Sequence, residues 1–179
     1  MSQFADRYAG TQAELRALFS EYEGDVSEQR QLLLSLDRFP ELEPDTSLFF
    51  IDLLTNSEHA DNVAYKLFER HELQGRHYII NLLRHEDGER RKKGEQFLVW
   101  LAQSDWDAAD WNKLFNDPLL MEDAAARCRA TGILANWYRE DIDTVKFRIN
   151  ERKGLPNITL EARLKRNEIL AVRFAEMIG

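Results

Sequence analysis

The sequence predicts an all-α protein with no β-sheet, either a compact multi-helix bundle or a short stack of antiparallel hairpins, with eight to nine helices. Three observations carry this. Apolar residues recur every three to four positions in nearly every segment, the period of a helix with one buried face. No stretch of useful length alternates apolar and polar residues with β-branched enrichment, as a strand would. The 4 Pro and 8 Gly are few and fall at gaps between the periodic segments, where they act as punctuation. A chain of 179 residues predicts one domain, 1–179, with an N-terminal lobe over 1–43 packed on a main body over 44–179 as a finer expectation. Short connections predict antiparallel neighbours, and no repeat of 30–45 residues matches itself along the chain.

Thr11 and Glu14 form a capping box, because each side chain can satisfy a free amide at a helix start. The helix expected from Thr11 to Glu23 carries Leu15, Leu18, Phe19 and Tyr22 on one face, and Gly24 ends it. Ser27 is the expected cap of a second helix to Leu36. Pro40 and Pro44 bracket a linker. Asp45 or Thr46 then caps a helix with Leu48, Phe49, Phe50, Ile51, Leu53 and Leu54, apolar on all sides and so expected to be buried on most of them. A fourth helix begins at Asn56 or Ser57, where Ala60, Val63, Ala64, Leu67, Phe68 and His71 make one stripe until Gly75.

The next helix spans Arg76 to His85. Residues Asp87–Gly94 are either a loop or the polar start of the helix containing Phe97 and Leu101. Ser104 or Asp105 is the expected cap of a helix through Trp106, Trp111, Leu114 and Phe115. Asp107 and Asp110 are expected on its solvated face. Asp117-Pro118 is a strong start signal, since proline suits the first helical position. The helix it opens, to about Tyr138, is rich in small residues and is expected at the centre of the bundle. Asp141 or Asp143 would start another, stopped by Gly154 and Pro156, and Thr159 and Glu161 open the last.

The candidates for chemistry are sparse. His59, His71, His77 and His85 show neither a His-x3-His nor a Glu-x-x-His spacing, so no metal site is expected. His71 reads as a hydrogen-bonded core histidine and His85 as a surface partner of Glu89. Cys128 reads as a small buried hydrophobe, and one cysteine excludes an internal disulfide. No nucleophile elbow, P-loop or dinucleotide glycine pattern is present, and no catalytic residue or cofactor is expected. No basic and apolar leader and no 20-residue apolar run occur, so the expected setting is cytoplasmic, without a membrane. The glycosylation pattern Asn157-Ile158-Thr159 then has no use.

Two aromatic and amide positions stand out. Trp106 lies five residues before Trp111 on the same expected helix, about 140° off the core face, so it packs on a neighbouring helix or serves as a partly exposed interface anchor. Asn167 falls inside the apolar stripe Leu160, Leu164, Ala171, Phe174 and Ile178, where it reads as a structural amide bonded to a neighbouring backbone. An enzyme pocket built on Asn167 with a carboxylate and a histidine is an alternative. Ile169 lies opposite that stripe, so this helix is expected to touch protein on a second side.

Charge is the last signal. Residues 1–62 hold 13 acids, 4 Arg and no Lys, while residues 144–179 hold 4 acids and 8 bases. With a net charge of −8 and no catalytic set, the leading expectation is a non-enzymatic acidic protein, of inhibitor, immunity or adaptor type, that docks a basic protein partner. The candidate contacts are Glu21, Glu23, Asp25, Glu28, Glu41, Glu43 and Asp45, joined by Trp106. The weaker alternative is phosphate binding by Arg84, Arg90, Arg91, Lys92 and Lys93, with nucleic acid as the partner. Self-association between acidic and basic segments is a further option.

Overall fold

The computed structural model describes residues 10–56, 71–104, 106–152 and 158–178. The expected stripe Ala60–Phe68, His59, Asp105, Gly154, Pro156 and Asn157 lie outside the described residues, as do the side chains of 51–56. The protein is all-α. Among the described residues there are nine α-helices, one 3-10 turn and no strand. In chain order these are α1 (Gln12–Glu21), α2 (Val26–Leu34), the 3-10 turn (Ser35–Arg38), α3 (Pro44–Asn56), α4 (Glu72–Arg84), α5 (Gly88–Gln103), α6 (Ala108–Phe115), α7 (Pro118–Met121), α8 (Ala124–Glu151) and α9 (Ile158–Ile178). The chain divides into two compact units, Met1–Tyr78 and Ile79–Gly179, and the division falls inside α4.

The first unit is organised on α1. The Thr11–Glu14 box forms in both directions, with Glu14 N–H donating to Thr11 Oγ1 at 3.3 Å and Thr11 N–H donating to Glu14 Oε2 at 2.9 Å. Gly24 adopts φ +88° in the turn after α1, the left-handed backbone that glycine tolerates. Asp25, not Ser27, caps α2, accepting from the Ser27 and Glu28 amides at 3.1 Å each. A carboxylate there also meets the positive end of the helix dipole, which a hydroxyl does less well. Leu15, Phe19, Leu32, Leu33, Leu36 and Phe50 are buried. Phe19, Phe49 and Phe50 meet edge to face, with Phe19 and Phe50 5.4 Å apart. α3 is not buried on every side, since Leu48 is exposed while Phe50 is fully enclosed. Gly75 does not break a helix. α4 starts earlier, at Glu72, and the Gly75 amide already donates to His71 O at 3.0 Å. His71 is buried as expected, but its Nε2 has no hydrogen-bond partner among the described residues.

In the second unit, Asp87 caps α5 by accepting from the Glu89 and Arg90 amides at 2.8 and 3.1 Å, so Gly88–Gly94 is the polar start of that helix. Gly94 lets α5 approach α4 closely. A Cβ there would lie 2.9 Å from Leu82 Cβ and 3.0 Å from the Leu83 amide. α6 is capped by Asp107, two to three residues later than expected, and Asp110 is not idle on a solvated face. Asp107 Oδ1 accepts from the Asp110 amide at 3.1 Å, and Asp110 Oδ2 accepts from the Asp107 amide at 3.1 Å.

Asp117-Pro118 starts a helix, yet α7 stops at Met121 and Asp123 recaps the chain for α8 through the Ala126 amide at 2.8 Å. α8 then runs 28 residues through Asp141 and Asp143, which cap nothing. No Gly or Pro interrupts residues 133–151, so nothing stops the helix where an aspartate alone suggested a boundary. Within the second unit α8 packs against α5, α7 and α9, and it buries one face where apolar residues on more than one side had suggested the centre of the bundle. Ala126, Ala130, Thr131, Leu134, Tyr138 and Val145 form its buried face. Cys128 lies about 200° from Ala126 around the helix and is exposed, against expectation. On α9, Asn167, Leu170 and Phe174 are buried, whereas Ile178 at the helix end is exposed.

Candidate functional site

The seven acidic candidates all belong to the first unit, in two groups set by α1. Gln12 clamps the linker before α3. Its Nε2 donates to Glu41 O at 2.9 Å, and its Oε1 accepts from the Glu43 amide at 2.9 Å. Arg16 donates to Thr46 Oγ1 and lies 3.7 Å from Glu43 Oε2. Glu41, Glu43 and Asp45 therefore gather beside the N-terminal half of α1. Glu21, Glu23, Asp25 and Glu28 gather at its other end. Gln12 and Glu21 are nine residues apart, which is about 14 Å along a helix. The carboxylates fall in two groups, one toward each end of α1.

The positions differ in what remains available. Asp25 is committed to its cap, Glu43 faces Arg16, and Glu28 is half-buried and partnered. Glu21, Glu23, Glu41 and Asp45 are exposed, and their carboxylates make no hydrogen bond or ion pair with the described residues. Trp106 is in the second unit. It lies outside the helix, before Asp107, so the helical-wheel argument does not apply to it. It is half-buried, with its ring 4.7 Å from that of Trp111.

The basic run is largely absorbed by the α4–α5 corner. Arg84 Nε lies 3.6 Å from Asp123 Oδ2. Arg91 donates to the His85 and Glu86 carbonyls at 2.8 and 2.6 Å, satisfying chain ends that α4 leaves open. Arg90 sits 2.9 Å from His85 Nε2, so Arg90 and not Glu89 is the neighbour of that ring; His85 Nδ1 accepts from the Asp87 amide at 3.0 Å. Lys93 is half-buried and partnered. Lys92 is exposed, on the rim of an open groove of about 430 Å³ that Val99, Trp100 and Ile133 also line. Four of the five cations, Arg84, Arg90, Arg91 and Lys93, are thus engaged with their own chain, where a phosphate site needs them together on one face.

Asn167 is fully buried, and its Nδ2 donates to Asp141 Oδ2 at 2.6 Å. Its partner is a carboxylate and not the backbone that was expected. Arg163 grips the same carboxylate with two bonds, at 2.8 and 2.7 Å. Arg166 donates to Ser104 O at 2.9 Å. Beside them Trp111 Nε1 donates to Tyr138 Oη at 2.8 Å, and the Tyr138 ring stacks on Phe174 at 5.9 Å. Burial pushes the Tyr138 hydroxyl up to about 12, against the lowering effect of the Trp111 hydrogen bond. The network joins α6, α8 and α9 and leaves the Asn167 amide closed to solvent. It can fix helix register. Among the described residues no three His, Cys, Asp or Glu side chains are placed to hold a metal ion.

Sequence reasoning missed Asp141 as the hub of this network. Its signal was present: Ala130, Leu134, Tyr138, Asp141 and Val145 follow one helical stripe, with an acid among apolar residues. No described helix is long and apolar enough to cross a membrane. In comparisons with known proteins, no family model, no curated protein and no solved structure matches the chain.

Proposed function

We propose that the protein is a non-enzymatic binding module, of inhibitor or adaptor type, whose acidic first unit docks a basic protein partner. One observation carries the reading. Residues 1–78 hold 15 acids and 7 bases, a net charge of −8, while residues 79–179 hold 17 of each. The charge of the whole chain belongs to one compact unit. Four exposed carboxylates of that unit, Glu21, Glu23, Glu41 and Asp45, remain unpaired with the described residues. Such a field accelerates encounter with a positive surface and suppresses wrong partners, and salt weakens it. Carboxylates spread over both ends of α1 suit a protein surface better than a small cation.

The test is recovery of a partner from native lysate at low and high salt, using wild type and the fourfold variant Glu21→Gln, Glu23→Gln, Glu41→Gln, Asp45→Asn. The expected result is a basic protein held by wild type at low salt, released by high salt and lost by the variant. Equal recovery by wild type and variant, or none by wild type, refutes the reading.

A further inference from the structure

The outer face of α9 has a self-complementary order of side chains, and we infer that a second copy of this chain docks there, antiparallel, about a two-fold axis. Lys165, Ile169, Val172 and Glu176 step by four, three and four residues. This spacing lines up one stripe of a helix and is that of a coiled-coil seam. The stripe points away from the buried residues Asn167, Leu170 and Phe174. Ile169 and Val172 are 57% and 59% exposed, an apolar pair on adjacent turns of the stripe. Lys165 and Glu176 are exposed and make no ion pair with the described residues.

The charge order chooses both the occupant and its direction. An axis crossing α9 between Ile169 and Val172 sets Ile169 on Val172 of the partner subunit, twice. One layer further out it sets Lys165 opposite Glu176 of the partner subunit, also twice. A parallel pairing in register would instead oppose Lys165 to Lys165 and Glu176 to Glu176, which like-charge repulsion disfavours. The flanks permit the antiparallel form. Arg166 and Arg173 donate to the Ser104 and Ala108 carbonyls of their own chain at 2.9 and 3.3 Å, and Glu168 Oε1 lies 3.5 Å from Lys146 Nζ. Their charges are thereby held to their own subunit.

Residues 163–178 would overlap, about 24 Å of helix. Contact along one helix falls below the ~800 Å² per partner of a standard interface, so the dimer is reversible and grows with concentration. A two-fold closed pair also caps the stripe and prevents open polymerisation. The inference concerns the neutral second unit and stands apart from the acidic docking reading.

Sedimentation velocity of the full chain, from low to high micromolar concentration, tests it with four proteins. Wild type is expected to move toward dimer as concentration rises. Lys165→Glu and Glu176→Lys each set like charges face to face and are expected to weaken dimerisation about tenfold or more. The double variant K165E/E176K reverses both pairs, keeps the net charge, and is expected to restore wild-type behaviour. All four positions are on the surface, and unchanged circular dichroism verifies the fold. A wild type that stays monomeric throughout overturns the inference. So do single variants that dimerise like wild type, or a double variant as weak as either single one.

Discussion

The two units use charge in opposite ways. In the first, acids outnumber bases by eight, and Glu21, Glu23, Glu41 and Asp45 stand exposed and unpaired with the described residues. In the second the signs balance, and charged groups are drawn inward to order the helices, as Asp141 does with Arg163 and Asn167. A surface carboxylate contributes little to stability and much to the long-range field. A largely enclosed carboxylate with three charged or amide bonds, such as Asp141, does the reverse. The contrast teaches where each kind of substitution should register: stability in the second unit, recognition in the first.

The largest expected effect follows from removing the hub. Asp141→Ala leaves the buried Asn167 amide without its acceptor and the half-buried Arg163 without its counter-charge. A loss of about 3 kcal/mol is expected, measured by urea unfolding. A loss below ~1 kcal/mol would show that water replaces the carboxylate and that the contrast between the units is overstated.

Next comes Tyr138→Phe, which keeps the stack on Phe174 but orphans the buried Trp111 N–H. About 1–2 kcal/mol is expected. The same hydroxyl predicts an alkaline limit. Its proton is held to about 12 in the folded protein, against 10.0 ordinarily, so this contribution is intact below pH 10 and is lost as pH rises toward 12. Tyr138→Phe should flatten that part of the stability profile.

A smaller effect separates caps from free acids. The Arg90 amide, with that of Glu89, holds the Asp87 carboxyl below its ordinary 3.8, and the Asp110 and Ala109 amides do the same for Asp107. A depressed folded value means these caps stabilise fully above pH 3.8 and lose their contribution as pH falls through the lowered values. Asp87→Asn and Asp107→Asn should blunt the acid transition. The smallest effect belongs to Glu21→Gln and Glu23→Gln, expected within ~0.5 kcal/mol of wild type at neutral pH. A larger loss would mean that these carboxylates have a structural task.

Much of the fold was legible because it is local. The Thr11–Glu14 box, the stop at Gly24 and the start at Asp117-Pro118 are written within four residues of sequence, and the structure contains each. Buried Asn167 was visible as an amide in an apolar stripe. Its partner was not, because Asp141 lies 26 residues away and only the antiparallel packing of α8 on α9 joins them. Aspartate misled for a related reason. It caps helices at Asp25, Asp107 and Asp123, where no cap was expected, and it caps none at Asp141 or Asp143, where one was; Asp141 instead faces a neighbouring helix. The acidic candidates were easy to count and hard to place. Their division into two clusters depends on Gln12 holding a linker 29 to 31 residues away.

The docking claim is tested most directly by the association rate of the recovered partner, followed by stopped flow across ionic strength. The account expects a rate that falls steeply as salt rises, and a shallower dependence for the variant lacking the Glu21, Glu23, Glu41 and Asp45 charges. A rate that ignores both salt and those four substitutions would contradict it.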